Sequence, residues 1–205
     1  MSPATDLDHI SATLHLWQRY DPSSKADLCS TAIETTAGIF FVDPIPLKHE
    51  MIAPLVVDRA VAGVLITNAN HRRAAPNFAE VFATRVFAHS ITCVACELSS
   101  ALAVTDKQQL AADLRVVEID GAAPGEITLY YEHDGGAMIV GDALINFEPY
   151  GFALLPAKYC GDAKQMRRSL RRLLDYKFER MLFAHGTPLI ASARTRLEQL
   201  LDNGD

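Results

Sequence analysis

A mixed α/β fold is what the sequence predicts, and three observations carry it. Runs rich in β-branched and aromatic residues alternate with segments whose apolar residues recur at helical spacing, and they do so to the end of the chain. One hairpin is written in turn chemistry: Ile127–Tyr131 and Ala137–Val140 flank His133, Asp134, Gly135 and Gly136, and Asp-Gly between apolar strands supplies the positive φ angles of a tight turn. Finally, 205 residues of which 49% are hydrophobic can bury a sizeable core, and a single domain over residues 1–205 is the most economical arrangement at that length.

Taken in order, residues 12–20 set Leu14, Leu16 and Gln18 against His15, Trp17 and Arg19. Residues 31–36 lead through Ala37 and Gly38 into Ile39, Phe40, Phe41 and Val42, so the chain is predicted to open on hairpins. Residues 47–60 place Ile52, Leu55 and Val56 at helical spacing with Arg59 facing away, a helix that feeds the β-branched run Val61–Ile66. Residues 78–84 read as a helix, 85–89 as a short strand and 114–119 as another. Beyond the hairpin, Asp162 is placed to cap a helix running through Met166, Leu170, Leu173, Leu174 and Phe178. A strand over 181–184 and an amphipathic helix over 191–201 complete the pattern, with no internal repeat or low-complexity tract.

Composition excludes several classes. Wholesale disorder does not fit so apolar a chain, and the longest apolar stretches fall far short of the roughly 20 residues a bilayer span needs. Residues 1–8 hold two aspartates and no basic cluster ahead of an apolar run, so they do not read as a secretory signal, and a cytoplasmic protein is expected. With 19 Lys and Arg against 25 Asp and Glu, the net charge of −6 argues against bulk attraction to nucleic acid or acidic membranes. Four cysteines (Cys29, Cys93, Cys96, Cys160) are too few for a secreted disulfide framework, and reduced thiols are expected.

Four fragments then carry a resemblance. An apolar strand ends in Thr67-Asn68-Ala69-Asn70-His71-Arg72-Arg73; Ala122-Ala123-Pro124-Gly125-Glu126, Val140-Gly141-Asp142-Ala143 and Phe183-Ala184-His185-Gly186 follow. In order and spacing the chain resembles the metallo-β-lactamase superfamily over nearly its whole length. The resemblance implies a four-layer αββα sandwich with a metal site on loops at one edge, and hydrolysis of an ester, thioester, lactone or phosphoester. It also shows where the chain departs from the family. In the pattern THxHxDH the histidines fall on Asn68, Asn70 and Arg73 and the aspartate on Arg72, while the family's next histidine falls on Ala122. Asp142 and His185 keep ligating residue types.

A zinc hydrolase needs about three protein ligands per metal and an open position for activated water. Asparagine offers only a neutral carbonyl oxygen, and arginine stays protonated and cannot bind a cation. Absence of a metal cofactor is therefore the first expectation for this chain, and two readings of the pocket are open. In one, His71 turns toward Asp142 and His185 to make a two-histidine, one-carboxylate site for a single divalent ion (Zn, Mn or Fe), with these residues catalytic. In the other, Arg72 or Arg73 stands where a metal stood and pairs with Asp142, and with the amides of Asn68 and Asn70 the pocket binds a small, anionic molecule. Elsewhere, Cys93 and Cys96 have CxxC spacing without a second ligand pair and read as buried packing. The basic run of Arg167, Arg168, Arg171, Arg172, Lys177 and Arg180 reads as a solvated face. No serine nucleophile elbow or phosphate loop is found.

Overall fold

The structure, a computed structural model, describes residues 2–203. The first half contains β1 (Asp8–His9), β2 (Leu14–Asp21), β3 (Ala26–Thr35), β4 (Gly38–Val42), α1 (His49–Val56), β5 (Val61–Ile66), α2 (Ala75–Val81), β6 (Val86–His89), α3 (Ser90–Ala95) and β7 (Leu102–Val104). Its strands form one sheet in sequence order, antiparallel up to β4 and parallel from β4 onward. The second half contains β8 (Gln109–Ala111), β9 (Leu114–Glu118), β10 (Ile127–Tyr131), β11 (Ala137–Val140), β12 (Leu144–Phe147), β13 (Gly151–Leu154), α4 (Ala163–Arg171), β14 (Arg180–Phe183) and α5 (Ala193–Asp202). A second sheet runs β14-β11-β10-β9-β8, and β12 and β13 form a separate ribbon.

Side-chain alternation builds the layers. Leu14, Leu16, Phe40 and Leu65 of the first sheet meet Ile127, Leu129, Ile139 and Leu182 of the second in a core between the sheets. The alternate residues of the first sheet, including Trp17, Phe41 and Ile66, pack under α1 and α2 through Ile52, Leu55 and Phe78. Those of the second, including Met138, Val140 and Phe183, pack under α4 and α5 through Met166, Leu170, Leu197 and Leu201. The order helices, sheet, sheet, helices is the expected αββα sandwich. Because each sheet is covered on both faces, both alternating sets at the start of β2 are buried, and the Trp17 Nε1–H donates to the Ile45 carbonyl at 2.9 Å.

The 127–140 hairpin forms as expected, with Asp134, Gly135 and Gly136 all at positive φ. A Cβ on Gly136 would lie 2.2 Å from the Lys177 carbonyl oxygen, so a close approach fixes glycine there as well. Three helices differ from expectation. α1 ends at Val56 rather than residue 60, because the chain must leave it for the Ala60 carbonyl to accept from Ile39 N at 2.9 Å at the entry to β5. α2 starts earlier than expected, with Pro76 in its first turn, where a missing N–H costs nothing. α4 is capped by Asp162 as expected, but ends at Arg171 and continues only as a 3₁₀ turn over Arg172–Asp175. The segment that follows is held against the hairpin instead: Tyr130 Oη donates to Lys177 O at 3.1 Å and Glu179 N to Gly135 O at 3.1 Å.

The basic run is not a wholly solvated face. Arg167 and Arg171 donate to the Leu201 carbonyl at 2.7 and 2.8 Å, capping the C-terminal end of α5. Arg172 reaches Asp106 at 3.2 Å and Arg180 reaches Asp134 at 3.3 Å. All four cysteines are free. Cys93 and Cys96 lie on and just past α3, their thiols on the carbonyls of Ala88 and Ala69, and burial raises the pKa of both. Among the described residues no helix is long and apolar enough to cross a membrane.

Candidate functional site

Asp43, the segment from Asn68 to Arg73, Asp142 and His185 each follow the C-terminal end of a strand: β4, β5, β11 and β14. After β5 the chain turns sharply, with Asn68 O accepting from His71 N at 3.1 Å and Asn68 Oδ1 accepting from Asn70 N at 2.8 Å. This side-chain-supported turn breaks strand alternation. It buries His71, leaves Asn70 and Arg72 exposed, and returns Arg73 toward the interior at φ 38°.

His71 lies between two carboxylates. Its Nδ1 is 3.0 Å from Asp43 Oδ2, and its Nε2 is 3.1 Å from Asp142 Oδ1. The Nε2 contact is a charge contact without the alignment of a hydrogen bond. Asp43 is buried and also accepts from the Thr67 backbone N–H at 2.8 Å and from the Thr67 hydroxyl. Burial opposes charge on His71, yet Asp142, with Asp43 behind it, outweighs both that and the repulsion of Arg73, pushing its pKa up to about 9. In turn His71 overcomes the burial of Asp43 and Asp142 and holds both carboxyls below their ordinary range.

The expected pairing of Asp142 with Arg72 or Arg73 does not form. Asp142 is instead met by Asn70 Nδ2 at 3.0 Å, by His71, and by His185 Nε2 at 3.4 Å. Arg72 is exposed. The Arg73 guanidinium donates to three carbonyls, Cys29 (2.6 Å), Asp43 (3.0 Å) and Ala184 (3.2 Å), which belong to both sheets. It is too committed to backbone to serve as the exposed anion anchor that sequence reasoning gave it. Asn68 is likewise buried, and donates to Glu126 Oε2 at 2.7 Å.

His185 Nδ1 lies 3.0 Å from the Asp27 carbonyl. Burial, reinforced by the charges of His71 and Arg73, lowers its pKa to about 4. Glu126, whose Oε1 accepts from Ala143 N at 3.0 Å, has its pKa raised to about 8 by burial and then by the Asp142 charge. A Cβ on Gly141 would meet Thr67 Oγ1 at 2.6 Å and Glu126 Oε1 at 2.7 Å, so the glycine before Asp142 is what lets these groups close together. Near neutral pH the cations Arg73 and His71 therefore balance the anions Asp43 and Asp142.

Above this network opens a cleft of about 440 Å³ with Asn70, Asp142 and His185 at its floor, and Phe147, Tyr150 and Tyr159 among its walls. The structure places His71, Asp142 and His185 side by side, the arrangement that one of the two sequence readings expected. Sequence reasoning missed Asp43, Glu126 and the cleft walls. Asp43 had a signal, a carboxylate directly after the buried strand β4; Glu126 had one in opening the buried strand β10.

A sandwich of two sheets with helices outside, carrying a polar cluster beyond its strand ends, defines the class. A family model described as the metallo-beta-lactamase superfamily matches residues 9–203, and the chain belongs to that superfamily. No curated protein sequence matches it. Solved structures similar to it include DIM-1 metallo-beta-lactamase (TM-score 0.75, 12% identity, 99% of each chain covered). Others are a beta-lactamase domain protein from Burkholderia ambifaria (TM-score 0.72, 18% identity, 98% of this chain and 77% of that one) and a metallo-beta-lactamase family protein from Thermus thermophilus (TM-score 0.69, 20% identity, 95% of this chain and 80% of that one).

The side chains present do not fit the two-zinc centre the family implies, since Asn68, Asn70, Arg72, Arg73 and Ala122 stand at its ligand positions. What remains is His71, Asp142 and His185, whose ligating atoms lie within 4.8 Å of one another. A protonated His71 offers no lone pair, and Arg73 adds positive charge beside it.

Proposed function

We propose that this metallo-β-lactamase-fold chain is a binding protein whose cleft holds a small molecule without a metal. The observation that carries the reading is the contact of His71 with both Asp43 and Asp142, which supplies from within the protein the positive charge a metal would bring. The cleft supports it in size and lining, with apolar walls and a few converging polar groups.

A second reading is favoured by the 4.8 Å cluster. His71 gives up its Nε2 proton, and His71, Asp142 and His185 hold one divalent ion in a hydrolase acting on an ester, thioester, lactone or phosphoester. The discriminating measurement is metal content per chain in protein purified without chelator, and again after dialysis against zinc, manganese and iron. The metal-free reading expects far less than one equivalent under each condition. Near-stoichiometric metal that disappears in Asp142→Asn would overturn it and establish the single-ion site of the second reading, whose hydrolysis is then tested by turnover of ester, thioester, lactone and phosphoester substrates.

A further inference from the structure

Cys93 and Cys96 take no part in the cleft chemistry, yet they lie against its floor. They sit three residues apart on and just past α3, which puts both side chains on one face of the helix. Helical geometry separates their Cα atoms by about 5 Å, inside the roughly 4.4–6.8 Å that a disulfide spans. Both thiols meet the same end of the first sheet. Cys93 Sγ donates to Ala88 O of β6 at 3.6 Å and Cys96 Sγ to Ala69 O beyond β5 at 3.3 Å, and β5 and β6 are paired neighbours. The Cys96 charge adds to burial in raising the Cys93 pKa, as expected of thiols this close. Cys93 is partly open to solvent, whereas Cys96 is 6% exposed. Beside Cys96 lies Arg72, the exposed arginine that the cleft does not use, and its charge opposes the effect of burial on that thiol.

The Ala69 carbonyl belongs to the turn of the cleft floor. Ala69 N donates to Pro124 O at 3.1 Å, and its neighbours Asn68 and Asn70 donate to Glu126 and Asp142. The Cys96 S–H therefore ties α3 to that turn. We propose that Cys93 and Cys96 form a reversible disulfide by exchange with a low-molecular-weight disulfide, and that the bond releases the floor turn from α3. Cys93, having lost its proton to solvent, attacks one sulfur of the oxidant. That S–S bond breaks, one half leaves as a thiolate and the other stays on Cys93 as a mixed disulfide. Cys96, deprotonated beside Arg72, then attacks Cys93 Sγ and expels the second half. The two leaving thiolates take up the two protons, and the electron pair lost by the cysteines reduces the oxidant. Burial thins both thiolates but leaves each a stronger nucleophile once formed. Without its hydrogen, Cys96 Sγ no longer donates to Ala69 O. None of these steps depends on whether the cleft holds an ion.

The full chain, purified under reductant, is exchanged into oxidised glutathione at about pH 8, where part of the thiol is ionised, then quenched with acid, alkylated and digested with trypsin. Residues 86–107 hold both cysteines and no lysine or arginine before Lys107, so a single peptide reports the bond. Expected is a peptide lighter by two hydrogens and closed to alkylation, with both thiols restored by dithiothreitol. Cys96→Ser should stop at the glutathione adduct on Cys93, and Cys93→Ser should lose the Cys96 thiol at least about tenfold more slowly, because burial shields it. In the oxidised chain the amide resonances of Ala69 and Asn70 should shift while that of Leu129 in β10 stays in place. Both cysteines still alkylated after prolonged exposure, a lasting glutathione adduct in place of the bond, or a bond that forms only in urea would overturn the site. Equally fast loss of the Cys96 thiol in Cys93→Ser would overturn the order of attack, and unmoved Ala69 and Asn70 resonances would overturn the link to the cleft floor.

Discussion

Arg73 is the side chain on which the backbone of the site converges. Its three carbonyl partners lie 30, 44 and 111 residues away in sequence. Arg73→Ala removes three charge-assisted bonds, although Asp43 O keeps Ser30 Oγ at 2.7 Å and Ala184 O keeps Cys29 N at 2.9 Å, and it removes a balancing charge from beside Asp43, so a loss of about 3–5 kcal/mol in urea unfolding is expected. Arg73→Lys, which keeps the charge but cannot fork to several acceptors, should recover only part of it; full recovery would mean that charge alone matters. Two raised pKa values set the pH dependence. Glu126 is raised from 4.5 to about 8 and His71 from 6.5 to about 9. Each binds its proton more tightly when folded, so its contribution is complete below the unfolded pKa and is lost as pH rises through the folded one. Stability should therefore fall between about pH 4.5 and 9, through Glu126 from about 4.5 to 8 and through His71 from about 6.5 to 9, and Glu126→Gln should flatten the lower part of that fall; an unchanged profile would show that Glu126 is ionised throughout. The sequence made the lost ligands legible as substitutions of residue type. It did not make legible where the new charges point, because that depends on the turn at Asn68 and on partners far along the chain.

Among the elements, those with local signals were read correctly. The hairpin and β5 follow from turn chemistry and β-branched runs, and the α4 cap follows from Asp162, whose Oδ1 accepts from Lys164 N at 2.9 Å and Gln165 N at 3.0 Å. Asp162→Ala should lower the melting temperature by about 2–4 °C, and no change would mean that tertiary packing alone holds that end. Elements ended by tertiary contacts were misread: the periodicity of α4 continues to Phe178, but the helix yields where Lys177 meets Tyr130. The ribbon of β12 and β13 has no alternation that would announce it, although β12 gives Ile145 and Phe147 to the cleft wall.

At the scale of the whole molecule, the site is also the seam between the sheets. Cys29 N of β3 donates to Ala184 O beyond β14 at 2.9 Å, and Ile127 N of β10 donates to Thr67 O beyond β5 at 2.7 Å, while Arg73 bridges the same two layers. These bonds lie beside fully buried groups such as Thr67 and Asn68, so they cannot open singly without exposing unpaired polar atoms. The polar edge and the apolar sandwich should therefore open as one cooperative unit. Native-state hydrogen exchange is expected to give the Cys29 and Ile127 amides the same free energy of opening as Leu129 in the centre of β10, while the exposed turn around Tyr159 exchanges by local fluctuation. In Arg73→Ala the seam amides should fall below Leu129, separating the edge from the core. Seam amides that exchange well before Leu129 in the unaltered protein would show that the network is an ornament on an independently stable sandwich, and the cleft floor would then lack the fixed geometry that a binding site requires.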